Sequence, residues 1–314
     1  MGFSFVWLVM ASESLVGGEA WKVSLHGGHS GEFCDHAEGT LESILEAAVE
    51  RGFSVFGVTE HAPRYEERFL YPEEVRLGWD VGRLTQNFDA YAVELFRLAE
   101  VFSDRLHVLR GFECEVVATA HYVDQMLGLR EKHRFDYCVG SVHHVFELQI
   151  DGALDQLDAA IAQAGSLEKL AVAYYETVAT MVDALKPEVV GHLDLICRHA
   201  QTTRFEDWAS VRDAAGHALD RVAANGGILD LNTAGYRKGL GRPYPAPWLI
   251  EAAQARGIGF CFGDDSHRTS DVGAGFDEGR RYLLANGVHS ITTLRRSADG
   301  LQRVVVPLPL EMPG

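Results

Sequence analysis

The segment Ser54-Val-Phe-Gly-Val-Thr-Glu-His61 is a short apolar run that ends in a carboxylic acid and an imidazole. The segment before it, Glu38–Arg51, repeats apolar side chains every three to four residues, which is the period of a helix packed on a sheet. The same alternation recurs along the chain. Strands are predicted over Trp21–Leu25, Ser54–Thr59, Leu106–Gly111, Asp136–Ser141, Glu188–Gly191, Gly227–Leu231 and Gly257–Phe262. Helices are predicted over Glu38–Arg51, Arg83–Phe102, Thr119–His133, Leu167–Leu185, Phe205–Asn225, Pro247–Arg256 and Phe276–Asn286.

Seven strand–helix units in series predict a parallel sheet with right-handed crossovers. Seven is close to the eight units of a TIM barrel, so we expect an α/β, TIM-like barrel. A dinucleotide-binding fold is disfavoured because no Gly-x-Gly-x-x-Gly follows the first strand, and no P-loop motif occurs either. A terminal hairpin is predicted over Ile291–Arg296 and Leu301–Leu308, with its turn at Asp299-Gly300.

No internal repeat or linker interrupts this pattern, which predicts one domain over residues 20–314. Residues 1–19 are predicted to form an N-terminal extension without stable structure. Its opening run, MGFSFVWLVM, is apolar, but no Lys or Arg precedes Lys22, and the run is too short for a membrane span. We therefore expect no membrane association. Met10 is an alternative start, and a secretory signal is the competing interpretation.

The composition is that of an ordinary globular protein, with 47% hydrophobic and 23% charged residues among 314. The 45 acidic and 28 basic residues give a formal net charge of −17. Such a chain repels polyanions, so we expect no nucleic-acid partner. The five cysteines are scattered without a Cys-x-x-Cys pair, which indicates reduced thiols and a cytoplasmic protein. The sequence leaves the oligomeric state open.

Imidazoles and carboxylates cluster where the predicted strands end. In a parallel barrel these ends meet at one face, where catalytic residues concentrate. Both groups are ligands that suit Zn, Fe or Mn, and there are more of them than one ion can bind. The sequence therefore predicts two or three divalent metals and a multinuclear hydrolase. The residues concerned are His26, His29, His36, His61, Glu113, His143, His192, Asp194, Asp265 and His267.

Residues next to these candidates have other expected roles. Glu115 and His144 adjoin better candidates and are expected to point away, because consecutive side chains of an extended segment face opposite sides. Cys34 and Cys114 are expected to serve packing rather than ligation.

The full set of motifs resembles the PHP (polymerase and histidinol phosphatase) superfamily, and within it the monofunctional histidinol-phosphatase family. The resemblance covers roughly residues 22–290. Its motifs are His29-Ser-Gly-Glu-Phe-Cys-Asp-His36, Thr59-Glu-His-Ala-Pro-Arg64, Gly140-Ser-Val-His143, Gly191-His-Leu-Asp194, Asn232-Thr-Ala-Gly235 and Asp265-Ser-His-Arg268.

The resemblance implies a distorted (β/α)7 barrel that holds up to three divalent metals and hydrolyses L-histidinol phosphate. Glu113 is the implied bridge between metals, and Glu113, His192, Asp194 and Asp265 are the implied catalytic groups. The ligand roles fall on His29, His36, His61, Glu113, His143, His192, Asp265 and His267.

One motif departs from the family pattern. The first motif is normally His-x-His, whereas here two glycines separate His26 from His29, and Gly27 stands where the first His belongs. We expect the two glycines to let the backbone bulge so that His26 still reaches the metals. The alternative is a site with one ligand fewer, which would bind metal more weakly or hold two ions.

Substrate contacts are expected from side chains that follow the motifs. Four arginines are candidate phosphate partners, and Asp194 is a candidate partner for the substrate's ammonium group. Phe69–Trp79 and Gly235–Pro245 are long enough to form a lid or pocket wall. The predicted substrate-binding residues are Arg64, Arg198, Arg237, Arg268 and Asn232.

Three other functions are compatible with the sequence to different degrees. Another PHP phosphoesterase, acting on a nucleotide, a sugar phosphate or a phosphotyrosyl protein, would use the same metals. An inactive metal-binding protein with the same fold would be consistent with the altered first motif. A nuclease or proofreading module is disfavoured by the acidic charge.

Overall fold

The computed structural model describes residues 18–117, 120–298 and 300–311. The strands are β1 (Glu19–Ser24), β2 (Phe53–Val58), β3 (His107–Arg110), β4 (Glu113–Cys114), β5 (Val139–Gly140), β6 (His144–Val145), β7 (Leu148–Gln149), β8 (Val189–Val190), β9 (Ile228–Asn232), β10 (Phe260–Gly263), β11 (Ser290–Ser297) and β12 (Gly300–Pro307). The helices are α1 (Leu41–Glu50), α2 (Pro72–Arg76), α3 (Val81–Val101), α4 (Tyr122–His133), α5 (Leu154–Ala164), α6 (Leu167–Leu185), α7 (Ala209–Asn225), α8 (Ala234–Arg237), α9 (Pro247–Gln254) and α10 (Phe276–Ala285).

Two parallel sheets form the centre of the fold. One has the strand order β1-β2-β3 and the other the order β10-β9-β8-β5-β4, and every neighbouring pair in both is parallel. Backbone contacts join the sheets on both sides. Leu25 N donates to Phe262 O (2.8 Å), and His61 and Glu113 form a parallel bridge. The α/β class predicted from the sequence is confirmed.

Burial explains why the strands read as apolar runs. Every residue of β2 is buried, as expected for a parallel strand covered on both faces. The preceding helix α1 buries one stripe, including Leu41, Ile44 and Leu45, against the sheet. Thr40 caps this helix, since its hydroxyl accepts from Ser43 N (3.1 Å). Local capping and the apolar stripe thus agree with the fold.

All seven predicted strands overlap a strand of the structure, and all seven predicted helices overlap a helix. The hairpin of β6 and β7 was not predicted. Its turn residues Phe146 and Glu147 both have positive φ (56° and 63°), a conformation usually signalled by Asn-Gly. Helix α5 was also missed. Its boundaries were present in the sequence, since Asp151-Gly152 precedes the helix and Gly165 ends it in a left-handed conformation.

The predicted C-terminal hairpin is confirmed, because β11 and β12 pair antiparallel from Ser290–Pro307 to Ser297–Gly300. Its predicted turn residue Asp299 lies outside the described residues, as do residues 1–17 of the predicted extension. None of the helices in the described ranges is long and apolar enough to cross a membrane.

Candidate metal centre

Four imidazoles surround the carboxylate of Glu113, which β4 carries into the interior. Glu113 Oε1 lies 3.2 Å from His26 Nε2, 3.3 Å from His192 Nε2 and 3.6 Å from His143 Nε2. Its other oxygen lies 2.9 Å from His61 Nδ1. The four histidines come from different strand ends, so the sheet order brings together residues far apart in the chain.

Two carboxylates orient the histidines of the first motif. His26 donates from Nδ1 to Asp230 Oδ2 (2.7 Å), and His29 donates from Nδ1 to Glu60 Oε1 (3.0 Å). In both cases Nε2 is left facing the cluster and has no hydrogen-bond partner among the described residues. A carboxylate behind an imidazole is the usual outer support of a metal-binding histidine. Sequence reasoning missed Asp230, although a charged residue inside the apolar run of β9 was a signal for it.

The two glycines of the first motif have the backbone freedom that the bulge requires. Gly27 has φ 152° and Gly28 has φ 81°, both unfavourable for residues with a Cβ. The bulge is held by hydrogen bonds from Gly27 N to Thr59 Oγ1 (3.0 Å) and from Gly28 N to Ser266 Oγ (3.0 Å). With this backbone, the side chain of His26 reaches Glu113.

A second group of donors adjoins the first. His29 and His267 stack with ring centroids 4.3 Å apart, and Asp265 Oδ1 lies 3.7 Å from His29 Nε2. His36 also stacks with His267, with ring centroids 4.8 Å apart, and its Nδ1 lies 3.3 Å from Cys34 Sγ. The ligand atoms of Cys34, His36, His61 and His267 all lie within 4.8 Å of one another. The predicted metal ligands are therefore neighbours in space.

The electrostatics of the first group favour cations. Burial alone would raise the pKa of the Glu113 carboxyl, but the charges of His26 and His143 hold it well below its usual range. Burial opposes protonation of His143 too, yet the Glu115 and Glu113 carboxylates raise its pKa to about 10. The negative potential of these buried carboxylates thus retains positive charge at the centre.

The residues fit a divalent metal on further grounds. Burial and the nearby charge of His29 lower the pKa of His61 and place that of His267 well below its ordinary value, so both imidazoles are neutral, the form that binds metal. Both ring nitrogens of His61 and both oxygens of Glu113 lack a hydrogen-bond partner within the described chain. Such unpaired buried groups are costly, and a bound cation would satisfy them.

The expectation that Glu115 points away is wrong. Its carboxylate is buried, with Oε1 3.4 Å from His143 Nδ1 and 3.6 Å from His61 Nδ1. Despite burial, the charge of His143 lowers the pKa of Glu115 to about 2. Strand β4 ends at Cys114, so strict alternation of side chains no longer applies at Glu115.

The predicted phosphate-binding arginines make contacts within the protein. Arg64 is buried, pairs with Glu74 and lies over the ring of Tyr71. Arg237 donates to the backbone oxygens of Asp264 (2.6 Å) and Asp265 (3.0 Å). Arg198 donates to Lys238 O (3.0 Å), and Arg268, half exposed, pairs with Glu38 (3.2 Å).

Lys238 is a cation that sequence reasoning missed. Its Nζ lies 3.2 Å from Asp265 Oδ2. Burial alone would lower the pKa of this amine, but the carboxylates of Asp265 and Asp151 raise it. Lys238 follows Arg237, one of the predicted arginines, in the Gly235–Pro245 segment. That position was the signal in the sequence that could have identified it as a site residue. Lys238 is thus a charged ammonium beside the cluster.

The side chains of Asn232 and Asp194 are hydrogen-bonded to neighbouring residues. Asn232 donates to Asp230 Oδ2 (3.2 Å) and accepts from Ala234 N (3.0 Å), so it supports the carboxylate behind His26. Asp194 Oδ2 accepts from Arg242 Nη2 (2.8 Å) and from Ala246 N (3.0 Å). These contacts fasten the Gly235–Pro245 segment beside the cluster.

This chain belongs to the PHP domain family, whose model matches residues 26–234. Within that family, curated relatives named histidinol-phosphatase match most of the chain. A "probable histidinol-phosphatase" of Schizosaccharomyces pombe is 34% identical over 281 residues, covering 88% of this chain and 91% of the relative. The histidinol-phosphatase of Saccharomyces cerevisiae is 28% identical, covering 82% of this chain and 87% of the relative. The family resemblance drawn from the motifs is confirmed.

Solved structures share the fold. A Listeria monocytogenes structure has a TM-score of 0.72 and 24% identity, covering 82% of this chain and 99% of its own. A histidinol phosphate phosphatase of Lactococcus lactis, solved with zinc, L-histidinol and phosphate, has a TM-score of 0.63 and 18% identity, covering 87% and 96%.

Proposed function

We propose that this protein is a metal-dependent phosphomonoesterase that hydrolyses L-histidinol phosphate to L-histidinol and phosphate in histidine biosynthesis. The observation that carries the proposal is the Glu113 cluster, in which a fully buried carboxylate without hydrogen-bond partners among the described residues is ringed by four imidazoles. Relatives named histidinol-phosphatase, which align with this chain over most of their length, support the choice of substrate.

We infer that the two sheets together form a single distorted barrel. Gly111 and Phe112 separate β3 from β4, and counting these two as one bent strand gives seven strands. The backbone contacts of Leu25 with Phe262 and of His61 with Glu113 support closure. The cluster then lies at the C-terminal face of the strands. The five cysteines, all buried and none in a disulfide across the described chain, are consistent with the reducing cytoplasm.

The donor set suits two or three divalent ions of Zn, Fe or Mn. Glu113 with His26 and His29 would hold one ion, and Glu113 with His143 and His192 a second, so that Glu113 bridges them. His36, His61 and His267 would hold a third, and Asp265, whose oxygen groups with His29 and His267, adjoins them. When bound, such ions supply an activated water and neutralise charge on the phosphoryl group.

The chain's own residues orient the reactants. Asp230 and Glu60 fix the rings of His26 and His29 so that Nε2 of each faces the cluster. Lys238 contributes an ammonium group next to Asp265, where it can donate to a phosphate oxygen. Tyr71, His36, His61 and Arg64 line one small cavity, which makes the Phe69–Trp79 segment a wall of the site.

The test is phosphate release from L-histidinol phosphate before and after EDTA treatment, beside para-nitrophenyl phosphate and a nucleoside monophosphate. We expect EDTA-sensitive release with a strong preference for L-histidinol phosphate. Activity only on the other esters would assign the protein to another PHP phosphoesterase activity. Lack of activity with Zn, Mn or Fe supplied would favour the inactive metal-binding protein and refute the proposal.

A further inference from the structure

Asp151 lies directly after the hairpin of β6 and β7, beside the metal centre. Ile150 N donates to the backbone oxygen of His143 (2.9 Å), which places the next residue close to one of the imidazoles around Glu113. On its other side, His199 donates from Nε2 to Asp151 O (3.0 Å). One hydrogen bond at the preceding residue and one at Asp151 O therefore hold the backbone around Asp151 in place.

The side chain of Asp151 has an unsatisfied oxygen. Its Oδ1 is buried and accepts no hydrogen bond from the residues that the structure describes. Leaving a buried carboxylate oxygen without a donor costs free energy, and a charged acceptor costs more than a neutral one. A cationic donor from outside the chain would remove that cost.

The carboxylate faces groups from several segments around the centre. Its negative charge acts to raise the pKa of His143 and His144, on one side, and of Lys238 and Tyr244, on the other. Tyr71 of the Phe69–Trp79 segment feels the same field. These groups come from three separate stretches of chain, so the charge of Asp151 acts on several segments around the centre.

We propose that Asp151 binds the ammonium group of the substrate and thereby selects phosphate esters of amino alcohols. The inference rests on the proposed function and adds a specificity residue to it. L-Histidinol phosphate carries its amine on the carbon next to the ester CH2, so the partner of the amine must lie beside the metals. Asp151 meets this condition because its neighbour Ile150 is hydrogen-bonded through its N–H to His143 O.

Asp194, the partner predicted from the sequence, is less suited to this role. Its Oδ2 is already paired with Arg242 and with Ala246 N, and the guanidinium balances its charge. The charge that Asp151 carries has no such partner at Oδ1 within the described ranges. Substitution of Asp151 is therefore expected to change the preference for an amine-bearing substrate, and substitution of Asp194 is not.

The test compares L-histidinol phosphate with imidazolylpropyl phosphate, the same ester without the amine. Wild type, Asp151→Asn, Asp194→Asn and the exposed control Asp155→Asn are assayed as metal-loaded full-length proteins. We expect Asp151→Asn to lower the ratio of kcat/KM for the amine ester to that for the amine-free ester by roughly 10- to 100-fold, mainly through KM. The other two variants should keep the wild-type ratio.

An equal loss on both esters in Asp151→Asn would indicate a structural role and overturn the inference, as would a changed ratio in Asp194→Asn alone. Thermal melting and turnover of the amine-free ester report whether Asp151→Asn folds. Failure of the wild type to hydrolyse either imidazole ester, while it hydrolyses para-nitrophenyl phosphate, is a different result. It would refute the proposed function, and the assignment of Asp151 would fall with it.

Discussion

The glycine pair between His26 and His29 can be tested by giving Gly27 a side chain. In Gly27→Ala, the new Cβ would overlap Asp264 Oδ1, and it would lie 3.1 Å from both Ser266 N and Ser266 Oγ. Asp264 is fully buried and cannot move freely, because its oxygens accept from Ser266 N (3.2 Å) and Gly273 N (2.8 Å). The bulge or the aspartate must therefore shift.

The magnitude follows from these contacts. A residue with a Cβ at φ 152° is strained by about 1–3 kcal/mol. Displacing Asp264 from a backbone donor costs a further 1–3 kcal/mol or so. The lower entropy of the unfolded alanine chain returns about 0.4–1 kcal/mol. We expect Gly27→Ala to lower the free energy of unfolding by roughly 1–5 kcal/mol.

Gly52→Ala is the matched control, since Gly52 also has positive φ (74°) but a Cβ there meets nothing within 4 Å. It isolates the cost of backbone strain, about 1 kcal/mol after the entropic gain. Both variants are measured by urea unfolding after EDTA treatment, then by metal analysis after reloading. Only Gly27→Ala should lose bound metal, because only its bulge positions His26. Equal stability and equal metal content in the two variants would refute the account of the bulge.

Three further substitutions test separate parts of the structure. Glu113→Gln should lose most of the bound metal and at least about 10²-fold in kcat/KM, as measured by metal analysis and phosphate release. The exposed control Glu131→Gln should keep both its metal and its activity. Full metal retention in Glu113→Gln would contradict the bridging role. Arg242→Met leaves the buried Asp194 carboxylate without its 2.8 Å partner and should lower the free energy of unfolding by urea by about 3 kcal/mol. Arg97→Met, which breaks an exposed pair with Glu94, should lower it by no more than about 1 kcal/mol. Equal losses in the two variants would refute the claim that burial makes the Arg242–Asp194 pair more important. Burial and the charges of Arg296 and Arg295 lower the pKa of His107, so the unfolded chain takes up a proton as the pH falls below 6.5 while the folded chain does not. Stability of the metal-free protein should therefore fall from pH 6.5 towards that lowered pKa, and His107→Gln should have a smaller slope in this window; identical slopes would exclude the contribution of His107.

The sequence predicted the fold well where burial and local signals agree. Helix α6 begins and ends at its predicted residues, Leu167 and Leu185, because Ser166 caps it by accepting from Lys169 N and Lys186 adopts a left-handed conformation at its end. The hairpin at Phe146 and Glu147 was missed for the opposite reason. Its turn is stabilised by its surroundings, including the ion pair of Arg68 with Glu147 (2.6 Å), and not by residues that favour the turn.

The site residues likewise fall into those that the sequence predicted and those that it did not. Imidazoles at strand ends could be found from the sequence, because topology alone brings parallel strand ends together. The carboxylates that orient them depend on which strands are neighbours. Asp230 reaches His26 only because β9 pairs with β10, which in turn contacts β1. The partners of arginines are harder to predict from the sequence, because a guanidinium can donate to many different acceptors. Loop geometry decides which of them lies within reach. Arg64 and Arg237 both lie near the centre, yet one pairs with Glu74 and the other with backbone oxygens. Lys238, next in the chain to Arg237, instead reaches the Asp265 carboxylate. Residue type and sequence spacing thus predict which groups are candidate metal ligands, while the pairings of the remaining charged side chains are decided only in the folded chain.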